Sequence, residues 1–165
     1  HLTGRLIRAT WRAGRWLANR QVQATASELL SRKAYLDVSS ELIDRALSGH
    51  LTVTARGDQR QVERFLEFHD GAASFPWRSQ ARWIAQQLRR SHGTRADVSD
   101  AALARVFRAD LHRMHLGSAG CDLPRASEKV AGAIRHETPV ASAGGGLTLL
   151  PNRFFDARIF YPNAD

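Results

Sequence analysis

Between residues 2 and 116, apolar positions recur at spacings of three and four, which predicts a run of short helices. In the first, Leu2, Leu6, Ala9, Ala13, Trp16 and Leu17 share one face, and Arg5, Arg8, Arg12 and Arg15 occupy the other. A second begins near Gln21, turns Val22, Ala26, Leu29 and Leu30 inward, and ends at Ser31-Arg32-Lys33. Tyr35-Leu36-Asp37-Val38 is a short extended link. Ser39 or Ser40 then caps a third helix with Ile43, Ala46 and Leu47 inward and Gly49 as its C-terminal stop.

The helical period lapses over residues 50–60, where Leu51-Thr52-Val53-Thr54 suits a brief strand and Arg56-Gly57-Asp58 a turn. It resumes from Gln61 to His69 with Val62, Phe65, Leu66 and Phe68, and Asp70-Gly71 turns the chain. Pro76 is suited to the first position of the next helix. Trp77, Ala81, Ile84 and Leu88 form that helix's inward stripe, and Gly93 ends it. Asp97 or Ser99 caps a further helix bearing Leu103, Val106 and Phe107, and Asp110 starts another through Leu111 and Met114. Beyond Gly117 the texture changes to Gly, Pro, Ser and Ala, with Gly144-Gly145-Gly146 as a flexible connector and Leu147–Leu150 as a short strand. The end, from Phe154 to Pro162, is aromatic-rich and non-helical. The fold class is therefore mostly α with short strands: a helical part over 1–116 and an irregular tail over 117–165, expected to pack on structure outside this chain.

Composition narrows the classes. At 165 residues and 43% apolar, the chain has the size and core-forming content of one ordinary domain. No apolar run approaches the ~18–20 residues of a membrane span. The chain opens at His1 rather than Met, so the expectation is a piece of a longer protein. The formal charge is +8, and Lys33 and Lys129 are the only lysines beside 22 arginines. An Arg-rich nucleic-acid-binding domain is one reading of that charge. Against it, the arginines are spread along helix faces one or two at a time, with no basic arm, so direct DNA binding is not expected.

No catalytic or metal motif appears. Cys121, the sole cysteine, excludes disulfides and sits in a Gly/Ala-rich loop without a base beside it. His112 and His115, three apart near Asp110, share a helix side but lack the remaining ligands of a metal site. Glu63 and Glu67 share their surface with Arg60 and Arg64 as an ordinary charged helix face. Gly144-Gly145-Gly146 lacks the strand, helix and lysine of a phosphate loop. The expectation is a non-enzyme with no metal and no cofactor. Of the four tryptophans, Trp16 and Trp77 lie on apolar stripes and read as core, whereas Trp11 and Trp83 lie off them and read as contacts to an absent surface.

Several ordered segments carry a resemblance. They are Leu6 to Arg20; Tyr35-Leu36 with Ile43 and Leu47-Ser48-Gly49; Phe65 through Phe75-Pro76-Trp77-Arg78-Ser79-Gln80-Ala81-Arg82-Trp83-Ile84; Val106 to Leu111; Lys129 to Ala133; and Asn152 to Phe160. Together they resemble the C-terminal portion of the nitrate- and bicarbonate-binding proteins of ABC importers. That family includes cytoplasmic relatives that sense nitrate or nitrite and regulate an RNA-binding antiterminator, and the tail from Lys129 to Phe160 looks closer to that branch. Relatives usually carry Gly where Ala157 stands, and acidic residues where Ala131 and Tyr161 stand.

The resemblance implies a partial solute-binding domain: the helix-rich C-terminal part of a two-lobed α/β periplasmic-binding-protein-like fold of type II. It implies nitrate, nitrite or bicarbonate as ligand, and a partner that is an ABC permease for an importer or the antiterminator for a sensor. Location follows the branch, periplasmic or membrane-anchored for an importer component and cytoplasmic for a sensor. A planar monoanion needs several N–H donors and about one positive charge, met by helix N-termini and a Lys or Arg. The ligand-binding candidates are Trp77 and Arg78 at a helix start and Lys129, one of only two lysines.

Overall fold

The computed structural model describes residues 2–92 and 99–162. Six helices dominate: α1 (Leu2–Leu17), α2 (Gln23–Leu30), α3 (Ser40–Ser48), α4 (Arg78–His92), α5 (Asp100–Val106) and α6 (Ala109–Gly117). Strands are minimal. β1 (His50–Thr52) pairs antiparallel with β2 (Gln59–Gln61), and β3 (Thr138–Pro139) pairs antiparallel with β4 (Thr148–Leu149). The chain divides into two compact units, residues 10–69 and residues 1–9 with 70–165.

In the unit of residues 10–69, α2 buries Ala26 and Ser27 and packs on α3, whose Ile43 is buried. Local signals fix α3 at both ends. The Ser39 hydroxyl accepts from the Leu42 N–H, and Gly49 closes the helix in the left-handed region at φ 78°. The expected strand near Leu51 is β1. Three expectations fail in this unit. The link at Tyr35–Val38 is a run of turns with Asp37 at φ 51° rather than extended chain. The expected helix from Gln61 to His69 does not form. Gln61 is spent in β2, the Val62 N–H donates to the Gly49 carbonyl at 2.9 Å, and Arg64 at φ 54° breaks the helical path.

The third failure is the inward face of α1. Leu2, Leu6 and Trp16 are exposed, while Gly4, Gly14 and the half-buried Trp11 form the packed side. Trp11 lies edge-on to His69 with ring centroids 5.4 Å apart. The glycines mark the true face because only a missing side chain lets the backbone come this close. A Cβ on Gly14 would stand 2.6 Å from the Phe68 carbonyl oxygen. Likewise, in the other unit, one on Gly4 would stand 2.7 Å from the His115 ring.

In the unit built from residues 70–162, α4 begins at Arg78 rather than beside Pro76. Trp77 supplies the first helical acceptor, its carbonyl taking the Gln80 N–H at 2.9 Å. Phe75, Trp77, Ser79 and Ala81 are buried around that helix start, but Ile84 and Leu88 of the expected stripe are exposed. The Ser99 hydroxyl accepts from the Ala102 N–H as the cap of α5. The alternative cap Asp97 and the expected stop Gly93 lie outside the described residues. α6 buries Ala109 and Leu116 and leaves Met114 exposed.

Irregular chain from 117 to 162 is held by side chains acting as hydrogen-bond hubs. The Asp122 carboxylate accepts from the Gly144 and Gly146 N–H groups and the Ser142 hydroxyl, at 2.6, 2.9 and 2.9 Å. Those bonds hold its pKa below the usual carboxylate value, the Gly144 N–H foremost. Gly144-Gly145-Gly146 is thus a turn tied to Asp122, not the free connector the composition suggests. Arg113 of α6 gathers the carbonyls of Pro124, Arg125 and Ala126 and the Ser127 hydroxyl, at 2.6–3.0 Å. Near the end, Ala157 holds φ 57° and its N–H donates to the Phe154 carbonyl at 3.0 Å, so the tight turn forms with alanine at the left-handed position.

Helix propensity favours Ala over Gly by about 1 kcal/mol. At position 14 the clash with the Phe68 backbone outweighs it. Gly14→Ala is therefore expected to lower unfolding free energy by about 1–3 kcal/mol in a urea melt, and a gain in stability would refute the close approach. Ala157→Gly has the opposite sign. Relief of the left-handed strain, about 1–2 kcal/mol, exceeds the added chain entropy, so the same melt should show a gain of roughly 0.5–1 kcal/mol.

Candidate functional site

The start of α4 and the chain that crosses it assemble the most chemically loaded region among the described residues. Residues 124–129 have no regular partner strand, so their backbone groups must find bonds elsewhere. The Ser127 carbonyl accepts from the Arg78 N–H at 2.9 Å, satisfying an orphan donor of the helix N-terminus. Two residues on, the Lys129 N–H donates to the buried Ser79 hydroxyl at 3.1 Å. Glu128 is turned to Arg82 at 3.2 Å, and Arg82 also donates to the Pro162 carbonyl at 3.0 Å.

These bonds deliver Lys129 to Trp77. The ammonium Nζ lies 5.0 Å from the centre of the Trp77 ring, within cation–π range. Trp77 is 2% exposed and packs edge-on against Phe75 at 4.9 Å, so the indole is a fixed floor behind the lysine. Burial lowers the Lys129 pKa from its ordinary value, and no carboxylate among the described residues opposes that shift. The half-buried cation thus rests on an aromatic face rather than on a carboxylate.

Of the three ligand candidates, the structure brings Lys129 and Trp77 into contact and sends Arg78 elsewhere. The Arg78 charge is felt by Arg113, where after burial it is the next cause lowering the Arg113 pKa. Arg113 itself stacks over Phe75 at 5.0 Å. The Arg78 Nε and the Trp77 Nε1 are both buried without a hydrogen-bond partner. His112 lies edge-on to Phe75 with centroids 6.2 Å apart, its pKa lowered by burial and partly restored by the Ser74 backbone. His115 sits under Gly4, so the two histidines serve separate packing contacts.

In front of Lys129 opens a cavity of about 310 Å³, between α4, the end of α5 and the tail. Gln80, Lys129 and Asn152 supply its polar groups, and Trp83, Phe107 and Phe154 stand among its apolar walls. Asn152 has a defined orientation. Its Oδ1 accepts from the Ile134 N–H at 3.0 Å, which leaves its Nδ2 buried without a partner. Trp83, expected to face an absent surface, instead stacks on Phe154 with centroids 5.1 Å apart and planes 7° from parallel. Asn152 and Gln80 were within the resembling segments but carried no signal of their own. Each is one amide among many, and only the fold puts them beside a lysine.

No protein-family model matches the sequence, and no curated protein does. Among solved structures, the chain is similar to the crystal structure of the periplasmic nitrate-binding protein NrtA from Synechocystis PCC 6803, with a TM-score of 0.69 and 16% identity. The match covers 97% of this chain and 38% of that one, so the chain spans 38% of the length of its structural relative. The helix-rich architecture with its short strands is thus that of part of a periplasmic-binding-protein fold.

A half-buried charge without a carboxylate partner among the described residues weakens the protein, and function commonly claims that cost. Lys129→Met is expected to raise the stability of the ligand-free chain by roughly 0.5–2 kcal/mol in chemical denaturation. The sign of its pH dependence follows from the lowered pKa. The penalty is present in full below the folded-state value and gone above the ordinary ~10.4 of an unfolded lysine. The gain should therefore shrink as the solution is made alkaline, and a gain independent of pH would show that the charge is not its source.

Proposed function

We propose that this chain is part of a solute-binding protein for a small monoanion, of the kind that serves ABC importers, with nitrate, nitrite or bicarbonate as solute. The observation that carries the reading is Lys129: a single positive charge, held by Trp77, facing a cavity and lacking a carboxylate of its own. One charge suits a monoanion. Trp77 and Arg78 act behind Lys129, the first as support for the ammonium and the second as positive potential at the helix start.

The architecture supports the same assignment, since the similar structure is that of a periplasmic nitrate-binding protein. The resembling segments would make this chain the C-terminal portion of such a protein, with other ligand groups contributed by sequence outside it and an ABC permease as partner. Net binding of about 8 kcal/mol, enough for micromolar affinity, lies within reach of a few charge-assisted hydrogen bonds in a closing cleft. The anion specificity distinguishes this reading from an Arg-rich nucleic-acid-binding domain, whose affinity would come from many spread charges and collapse with salt.

Calorimetric titration of the full-length protein with nitrate, nitrite and bicarbonate, and with duplex DNA at ~150 mM salt, tests the choice. Saturable anion binding with no DNA binding is expected. Because burial lowers the Lys129 pKa, anion affinity should fall with rising pH before an ordinary lysine would titrate, and Lys129→Arg should keep affinity into that range. DNA binding without any anion response would overturn the assignment.

A further inference from the structure

The cavity in front of Lys129 is larger than a bare inorganic anion requires. A planar ion of four heavy atoms displaces roughly two waters, at about 30 Å³ of liquid volume each. The cavity offers about 310 Å³, at the low end of pockets that enclose organic ligands. Its chemistry is also divided. Lys129 supplies the charge, and Asn152, whose Oδ1 is held by the Ile134 N–H, is the neutral amide at the tail side of the lining. The walls are the stacked rings of Trp83 and Phe154, with Phe107, Ile84 and Ala131.

We infer that the Lys129 cavity binds an organic monocarboxylate with a compact apolar body. The carboxylate lies on Lys129, and the body covers the Trp83, Phe107 and Phe154 rings. The inference rests on the reading of Lys129 as an anion anchor and widens the solute class. An inorganic oxyanion fills the headgroup end alone and leaves the aromatic wall wet. A second carboxylate has no cation among the cavity-lining residues to meet it, so a dicarboxylate is disfavoured. An amine of the same shape meets the lysine charge and is excluded.

The test is calorimetry on the full-length protein with four probes: benzoate, 3-methylbutanoate, benzyl alcohol and nitrate. Both carboxylates should bind at least about tenfold more tightly than nitrate, and benzyl alcohol should not bind measurably. Two variants locate the headgroup. Lys129→Met should weaken benzoate roughly 10- to 100-fold. Asn152→Asp keeps the acceptor for the Ile134 N–H while adding a negative charge to the cavity lining, and should abolish benzoate binding with the circular dichroism spectrum unchanged. Nitrate binding without benzoate binding would overturn the inference and leave the small-oxyanion reading intact. Benzoate binding without nitrate binding, lost in Lys129→Met, would uphold the inference and remove nitrate as a solute. Binding of neither would overturn both, and benzoate binding indifferent to both variants would overturn the inference alone.

Discussion

The chain from Cys121 to Pro162 is almost without regular structure, yet it contributes much of the candidate site, so the problem it solves is hydrogen-bond satisfaction. Every buried peptide group must be paired, and the short pairings this chain makes with itself, such as Ala131 with Phe160 and Thr138 with Leu149, leave the carbonyls of Pro124, Arg125 and Ala126 to a side-chain donor. Arg113 answers this by placing one planar, five-donor group where four successive residues present acceptors. The α4 N-terminus continues the work at Ser127 and Lys129. A lysine could not replace Arg113, since a point charge on a flexible stem cannot hold that fan of carbonyls in register. The position of the Lys129 ammonium is in this sense set by an arginine on another helix.

That dependence explains what the sequence discloses. The cap at Ser39, the stop at Gly49 and the cap at Ser99 are local chemistry, visible as short-range patterns, and the helices they bound are where the patterns put them. The face of α1 is not local. Leu2, Leu6 and Trp16 make the stronger apolar stripe on paper, but the side with Gly4 and Gly14 wins because backbone approach, not side-chain transfer, decides the packing there. The stretch from Gln61 to His69 has helical periodicity, and it loses to the bond between Val62 and Gly49, which belongs to a hairpin that periodicity cannot register. The resemblance carried the architecture further than the pattern did, because the irregular tail has no period to read.

The candidate residues show the same division. Lys129 stands out as a rare lysine in an arginine-rich chain, and Trp77 stands out at a helix start, so both were visible singly. Their contact was not, since it depends on the crossing at Ser127 and Ser79. Arg78 was equally conspicuous and is the one that turns away from the cavity. Asn152 was inconspicuous and is brought to it. Rarity and position in sequence therefore point to the charge but not to the neutral amide that lines the same cavity.

One wall of the cavity is a pair of parallel rings rather than backbone. The same two rings, Trp83 and Phe154, also line a second hollow of about 350 Å³, together with Gln86, Arg90 and Tyr161. No main-chain hydrogen bond runs through their side chains. Exchanging either ring for a smaller residue would enlarge both hollows while leaving the Arg113 and Asp122 anchors untouched. The space beside Lys129 is accordingly a property that substitution at two side chains can resize while the scaffold stays as it is.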